Sequence, residues 1–269
     1  NEVIEGLASK PGGRFIDCTV GLGGHAAAIL ENISPGGRLL GIDADPDAIE
    51  IARSKLTQYG EAITLVNDNF ANLKAICSEY NFYPVDGIFF DLGVSSLQLD
   101  TAQRGFSFQR DAPLDMRFDP RRGLITAADI VNTFPEHELA HIIEENSGER
   151  HSRRIARRIV QSRPITTTLE LARVVEQVLG SKRNKIHPAT RTFMALRIAV
   201  NSELENLKMV LQQAINLLQF RGRLVVISYH SLEDRVVKEF MRREASSDKP
   251  LGCILICRCV HAAISTMLW

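Results

Sequence analysis

The sequence lacks the features that place a protein in a membrane or outside the cell. Its 269 residues include no stretch of about 18 or more apolar residues, so no transmembrane helix is expected. The chain does not open with a secretory signal. Its five cysteines are too few for a disulfide framework in a chain of this length, which indicates a reducing compartment. These absences predict a cytoplasmic protein with no membrane partner.

The sequence also lacks the motifs of two common kinds of active site. No Gly-x-Ser-x-Gly elbow occurs, which argues against a serine hydrolase. Cys253, Cys257 and Cys259 cluster near the end of the chain and could bind zinc. No second pair of ligands completes a tetrahedral set, however, so no metal site is predicted.

Net charge is absent as well, because 32 basic residues balance 32 acidic ones. Taken whole, that balance does not predict a nucleic-acid partner. The segment 150–197 nevertheless holds twelve Lys or Arg residues against two acidic ones, a net charge of +10. The rest of the chain carries the compensating −10. This asymmetry predicts a polyanion-binding surface on one part of the molecule.

Apolar runs alternate with helix-like segments in the first third of the chain, which predicts a parallel sheet covered by helices. The strand-like runs are 14–18, 38–42, 62–66 and 85–90. A fifth run, 222–229, follows only after a gap of about 130 residues, too long for an ordinary connection. The gap therefore predicts an inserted, mostly helical subdomain. We place this insert at 103–200, between two parts of the sheet domain at 1–102 and 201–269.

A glycine turn, Gly21-Leu-Gly23-Gly24, joins the first predicted strand to a helix. Glycines let the backbone approach a ligand at the carboxyl edge of a sheet. Asp17, just before the turn, would repel a phosphate but attract an ammonium. Asp43 lies twenty residues beyond Gly23, where nucleotide-binding folds place the carboxylate that binds a ribose. The pattern predicts S-adenosylmethionine, which has an amino group and a ribose but no phosphate; the alternative is an ordinary tight turn.

Asp91 ends the fourth predicted strand and is a candidate catalytic residue. In a methyltransferase sheet this strand end lies beside the sulfonium of the cofactor. An amine attached to an aromatic ring needs orientation, because its lone pair is delocalised, and acceptors for its N–H groups can supply that orientation. A helix N-cap is the alternative role for Asp91, and the two roles are compatible.

The fifth predicted strand ends in Tyr229-His230-Ser231. A capping box between Ser231 and Asp234 predicts a helix start. His230 would then be free to face the cleft as a second catalytic candidate, and Tyr229 could stack on a flipped base.

Four arginines, Arg153, Arg154, Arg157 and Arg158, occupy one face of a predicted helix whose opposite face is apolar. No acidic residue follows at i+4 to pair with them. The face is either simply solvated or contacts phosphates. The predicted RNA-binding set is completed by Lys182, Arg183, Lys185 and Arg191.

These blocks together resemble the ribosomal RNA small-subunit methyltransferase H family, over about residue 2 to about residue 243. The similar motifs are Gly21-Leu-Gly-Gly-His25, Gly41-Ile-Asp-Ala-Asp-Pro46, Phe89-Phe-Asp-Leu-Gly-Val-Ser-Ser96, Arg104-Gly-Phe-Ser-Phe108, Pro113-Leu-Asp-Met-Arg117, Arg154-Ile-Ala156, His187-Pro-Ala-Thr-Arg-Thr-Phe193, Arg197-Ile-Ala-Val-Asn-Ser-Glu203 and His230-Ser-Leu-Glu-Asp-Arg235. The segment 253–269 resembles nothing in the family, so a truncated or aberrant C-terminus is expected, which puts the family's last antiparallel strands in doubt.

The resemblance implies a Rossmann-like class I S-adenosylmethionine-dependent methyltransferase sheet with the helical insert between its fourth and fifth strands. It implies methyl transfer to N4 of a cytidine in the decoding region of 16S rRNA, within the small ribosomal subunit. The cofactor contacts that it implies are Gly23, Gly24, His25, Asp43, Phe70, Asp91 and Gln98. Phe70 also fits by position, because it follows the third strand, where an aromatic ring can pack on adenine. Two alternatives stay open: a methyltransferase acting on DNA or another amine, and an inactive homologue that binds the cofactor. The oligomeric state is not predicted.

Overall fold

The computed structural model describes residues 2–123, 125–180, 187–246 and 254–259, with Arg258 and Cys259 described by their backbone only. The chain forms two compact units. The first contains residues up to Gly93 and those from Leu204 onward, and the second is Val94–Glu203. The second unit is wider than the insert predicted at 103–200. Val94 packs on the core of this unit and Glu203 pairs with Arg197 inside it.

The first unit is built on a sheet of β1 (Arg14–Asp17), β2 (Arg38–Asp43), β3 (Ile63–Asn67), β4 (Val85–Asp91), β5 (Leu218–Ser228) and β6 (Ile254–Cys259). The strand order is β3-β2-β1-β4-β5-β6, and each neighbouring pair is parallel. The carboxyl ends of β1, β2 and β4 therefore meet at one edge. Our sequence interpretation did not include β6, which pairs with β5 in parallel, Val225 opposite Ile256.

The helices in chain order are α1 (Glu2–Leu7), α2 (Gly24–Ile33), α3 (Pro46–Lys55), α4 (Leu73–Glu79), α5 (Ser96–Asp100), α6 (Ala127–Thr133), α7 (Glu136–Ser147), α8 (Ser152–Gln161), α9 (Thr168–Leu179), α10 (Thr190–Asn201), α11 (Glu203–Leu217) and α12 (Ser231–Ala245). Within the described ranges, no helix has the length and apolarity needed to cross a membrane.

Both faces of the sheet are buried, which is why its strands are continuous apolar runs. Phe15 and Ile16 are neighbours on β1 and point to opposite faces. Phe15 belongs to a core with residues of α1, α2 and α3, and Ile16 to a core with residues of α4, α11 and α12. Helices on both faces of a parallel sheet confirm the predicted α/β class.

The second unit is mostly helical and has a core of its own. Ile155 and Ile159 of α8 are fully buried in that core together with Leu171 of α9 and Leu196 of α10. The packing of its own apolar residues therefore holds the helices of the insert together. Along the chain, the insert lies between the fourth and fifth strands, as predicted.

Candidate active site

Asp17 at the end of β1 is completely buried. Its Oδ1 accepts the backbone N–H of Thr19 at 3.1 Å, whereas its Oδ2 is buried without a hydrogen-bond partner. Burial raises the pKa of Asp17 from 3.8 to about 7. A buried carboxylate oxygen without a donor is costly, because nothing replaces the water it lost. A ligand ammonium is the group that would satisfy it.

The glycine turn after β1 needs its glycines for two reasons. Gly21 and Gly23 have φ of 49° and 78°, in the left-handed region that favours glycine. A side chain at Gly23 would also begin 3.1 Å from Cδ1 of Leu56. Gly23 then serves as the N-cap of α2 without a capping side chain, and Gly24 and His25 form the first turn of that helix.

Asp43 at the end of β2 is held against this turn. Its Oδ2 accepts the backbone N–H of Gly21 at 2.8 Å, and its Oδ1 accepts that of Asp45 at 2.8 Å. Asn67 at the end of β3 donates to the Asp43 carbonyl at 3.0 Å, which ties the next strand to the same place. A carboxylate is an acceptor of several hydrogen bonds, which is the chemistry that suits the two hydroxyls of a ribose.

Phe70 follows β3 and is partly buried. Its ring meets that of Phe90 edge to face, with centroids 5.7 Å apart. Asn69 orders the segment, because its side-chain oxygen accepts the backbone N–H of Ala71 at 2.8 Å. The contact with Phe90 holds the Phe70 ring against the core on one side.

Asp91 at the end of β4 is contacted by residues of three other segments: the turn after β1, the end of β5 and the helix α2. Its backbone N–H donates to Oγ1 of Thr19 at 2.6 Å. The hydroxyl of Tyr229, just after β5, donates to Oδ1 of Asp91 at 2.9 Å. His25 of α2 places its Nε2 3.6 Å from Oδ2 of Asp91 and packs edge to face on Phe89. The Asp91 carboxylate raises the pKa of His25.

His230 is not free to face a cleft, and this premise of the sequence interpretation was wrong. It is the N-cap of α12 and forms a capping box with Glu233, one residue earlier than the predicted pair of Ser231 and Asp234. Its Nδ1 accepts the Glu233 N–H at 3.4 Å. Its Nε2 lies 3.0 Å from Oε1 of Glu233 but without the geometry of a hydrogen bond. A catalytic role for His230 stays a prediction, and the structure shows a cap.

Gln98 lies in the second unit and is buried in α5. It forms a capping box with Ser95: the Gln98 side chain accepts the Ser95 N–H at 3.1 Å, and Ser95 Oγ accepts the Gln98 N–H at 3.3 Å. The cofactor contact predicted for Gln98 therefore stays a prediction, while its local role is to start a helix.

The four arginines of α8 are all exposed. No acidic residue follows them at i+4, but three of them have partners on neighbouring helices. Arg157 contacts Glu136 of α7 at 3.3 Å, Arg158 donates to Oε1 of Gln177 of α9 at 2.7 Å, and Arg154 donates to the Val178 carbonyl at 3.3 Å. The partners come from other helices, so an i+4 search along α8 does not find them.

The rest of the predicted RNA-binding set divides in two. Arg191 of α10 is exposed and lies 3.5 Å from the buried carboxylate of Glu149. Lys182, Arg183 and Lys185 lie outside the described residues.

The cysteines do not build a metal centre in the part of the chain that the structure describes. No group of three or more His, Cys, Asp or Glu side chains there could hold a metal ion. Cys257 of β6 is buried with its thiol 3.8 Å from Oδ1 of Asp234. Cys253 and the side chain of Cys259 are outside the described residues.

Comparison with known proteins identifies the family. The profile of the MraW methylase family matches residues 1–267. The chain belongs to the MraW methylase family. This match extends past residue 243 and through most of the segment 253–269, so the expectation that this segment resembles nothing in the family was wrong.

Relatives within this family are close. A protein of Dehalococcoides mccartyi named ribosomal RNA small subunit methyltransferase H is 57% identical over 253 residues, which cover 94% of this chain and 71% of that protein. A protein of the same name from Syntrophotalea carbinolica is 50% identical over 263 residues, 96% of this chain and 83% of its own. The crystal structure of a putative rRNA-methylase from Clostridium thermocellum is similar over 92% of this chain and 80% of that one, with a TM-score of 0.44 and 18% identity.

This MraW methylase is an S-adenosylmethionine-dependent methyltransferase, as the sequence predicted. Its own residues fit that cofactor, because the unpartnered Oδ2 of Asp17 suits an ammonium and the fixed carboxylate of Asp43 suits a ribose. The hydrogen bond from Tyr229 to Asp91 was not predicted from the sequence. Only the adjacency of β4 and β5 reveals it, since 138 residues separate the two side chains along the chain.

Proposed function

We propose that this methylase transfers the methyl group of S-adenosylmethionine to N4 of a cytidine in the decoding region of 16S rRNA. The substrate is the small ribosomal subunit, in the cytoplasm. The names of the relatives support an rRNA substrate. The observation that carries the choice of an amine is Asp91, a partly exposed carboxylate at the same sheet edge as Asp17 and Asp43.

The residues of this edge would hold the cofactor by its separate groups. Asp17 pairs with the α-ammonium, Asp43 accepts from the ribose hydroxyls, and Phe70 packs on adenine. The glycine turn and His25 line the same edge. When bound, S-adenosylmethionine would supply a methyl group on a sulfonium, and the C–S bond that breaks leaves a neutral thioether, which needs no acid.

Asp91 then has two tasks at the amine. A carboxylate oxygen accepts one N–H of the cytosine N4 group and turns the nitrogen lone pair out of conjugation with the ring. As the new N–C bond forms, the nitrogen gives up a proton. Asp91 can accept that proton and pass it to water, because a quarter of its side chain is exposed.

The basic segment of the second unit would bind the rRNA phosphates. Arg153 is the arginine of α8 for which the structure shows no partner among the described residues, while the other three are oriented by neighbouring helices. Arg191, Lys182, Arg183 and Lys185 complete the surface in this proposal. Binding of a polyanion to such a surface is dominated by counterion release.

The test is to purify small subunits from cells that lack this gene and to treat them with the protein and S-adenosylmethionine. Mass spectrometry of the digested 16S rRNA should then show N4-methylcytidine at one position of the decoding region, and reintroducing the gene should restore it in cells. Cytosine-containing DNA serves as the matched substrate control. Methylation of the DNA but not of the subunits would move the substrate class to DNA, and no methylation of either would support an inactive homologue.

A further inference from the structure

The Tyr229 hydroxyl donates a hydrogen bond to one of the two oxygens of the Asp91 carboxylate. It donates to Oδ1 at 2.9 Å, while Nε2 of His25 lies 3.6 Å from Oδ2. The two side chains approach the carboxylate from different elements, Tyr229 from the end of β5 and His25 from the first turn of α2. The carboxylate is therefore contacted at both oxygens, each by a different residue.

Tyr229 is itself held in place by its surroundings. Its backbone N–H donates to Oε2 of Glu233 at 2.9 Å, and Glu233 is almost completely buried. Its ring lies beside Gly93, where a β-carbon would be 3.4 Å from Cδ2 of the ring. Gly93 has a φ of +106°, which residues other than glycine rarely adopt. Burial, reinforced by Asp91, raises the pKa of Tyr229 to about 12, so the hydroxyl stays a donor at neutral pH.

We propose that Tyr229 is a positioning residue for methyl transfer: it fixes the orientation of Asp91 through Oδ1, so that Oδ2 is presented to the target amine. The inference rests on the proposed function of Asp91 and adds a role that the sequence did not assign to Tyr229. With Tyr229 donating to Oδ1 and the His25 imidazole 3.6 Å from Oδ2, the carboxylate is held in one orientation, and Oδ2 can use a further lone pair to accept an N–H of the amine.

The proposal separates two properties of Tyr229. The hydroxyl acts on Asp91, whereas the exposed ring is the part that could stack on a base. Tyr229→Phe removes the hydroxyl and keeps the ring. It should lower kcat by about tenfold or more, the scale of a lost hydrogen bond to a charged group, and change KM for small subunits and the affinity for S-adenosylmethionine by less than about twofold.

The decisive measurement is coupling through Asp91. The His25 imidazole titration is followed by NMR in the wild type, Tyr229→Phe, Asp91→Asn and the double variant, with His25→Gln to assign the signal. Tyr229→Phe should shift the His25 pKa when Asp91 is present and leave it unchanged in the Asp91→Asn background. In the same cycle, Tyr229→Phe should add little further loss of kcat once Asp91 is replaced.

Tyr59→Phe is the matched control, because Tyr59 also donates to a carboxylate, Oε1 of Glu31 at 3.3 Å, further along α2. It should leave kcat and the His25 titration unchanged. The proposal is overturned if Tyr229→Phe leaves the His25 pKa unaltered, shifts it equally in both backgrounds, or turns over like the wild type. The titrations need no RNA, so their result can be interpreted even if the proposed rRNA substrate is wrong.

Discussion

Oδ2 of Asp43 accepts the backbone N–H of Gly21 at 2.8 Å, so the end of β2 holds the glycine turn that follows β1. Asp43 thereby has two expected parts in the cofactor site: it fixes the turn, and its carboxylate is the proposed acceptor for the ribose hydroxyls. A single substitution there removes both contributions.

Asp43→Ala should weaken binding of S-adenosylmethionine by about 2 to 3 kcal/mol, the scale for losing charge-assisted hydrogen bonds. Isothermal titration calorimetry measures the change. Asp47→Ala, on the exposed first turn of α3, is the matched control and should bind normally. Unchanged affinity in Asp43→Ala would remove Asp43 from the site, and preferential binding of NAD by the wild type would contradict the cofactor assignment.

Asp17 predicts a pH dependence of cofactor binding. Its pKa is raised to about 7, so the carboxyl is largely protonated at pH 6, whereas an ammonium prefers the ionised form. Affinity for S-adenosylmethionine should therefore rise several-fold from pH 6 to about pH 7.5, and it should fall again above about pH 8, where the α-amino group of the cofactor loses its proton. Asp17→Asn should bind weakly and without this dependence. His25→Gln is the control, because His25 also has a raised pKa, and it should keep most of the dependence.

The same raised pKa affects stability with a definite sign. The native state keeps a proton on Asp17 that the unfolded chain releases above its ordinary pKa of 3.8. The contribution of Asp17 to the free energy of unfolding should thus fall as the pH rises from about 4 to about 7. Urea unfolding of the wild type and of Asp17→Asn across this range checks the prediction. As the pH rises, the free energy of unfolding of Asp17→Asn should increase relative to that of the wild type.

Asp91→Asn tests chemistry against binding. Asn keeps one acceptor oxygen but loses the charge, so turnover should fall more than affinity for the cofactor falls. Single-turnover assays with small subunits and calorimetry without them separate the two. Equal losses in both would make Asp91 a cofactor ligand only.

His230 can be tested as a cap rather than as a catalyst. His230→Ala should lower the free energy of unfolding by about 1 kcal/mol, because α12 loses its N-cap. His230→Asn should restore most of that loss, since Asn is a good N-cap. If His230→Asn is stable and active, the residue is structural; a stable but inactive His230→Asn would support the predicted catalytic role.

The arginines of α8 predict a salt dependence of rRNA binding. Replacing Arg153, Arg154, Arg157 and Arg158 with Gln should flatten the dependence of small-subunit affinity on salt, by about one in log–log slope for each phosphate that is no longer neutralised. Arg153→Gln alone is the cleaner variant, because Arg157 also contacts Glu136. Arg53→Gln on α3, an exposed arginine next to Glu50, is the control. An unchanged slope in the quadruple variant would mean that α8 presents only a solvated face, and binding would have to be sought around residues 182–191.

The first four strands were predicted from their composition to within one residue at each end. β1, β2 and β4 are mostly buried on both faces and so appear as continuous apolar runs, whereas β3 is partly buried. The sequence also predicted the glycine turn with Asp17 and Asp43, because parallel strands bring their carboxyl ends to one edge whatever surrounds them. These features depend on local composition and on the rules of a parallel sheet.

The pairing of distant segments could not be predicted from the sequence and is visible only in the folded chain. β6 pairs with β5, yet the sequence interpretation noted only the cluster of Cys253, Cys257 and Cys259 in this segment, since a short apolar run carries no local sign of its partner. The bond from Tyr229 to Asp91 required β4 and β5 to be neighbours, and the pair of Arg157 with Glu136 required α7 to lie beside α8. Such interactions depend on which surfaces pack together, and the periodicity of one segment does not contain that information.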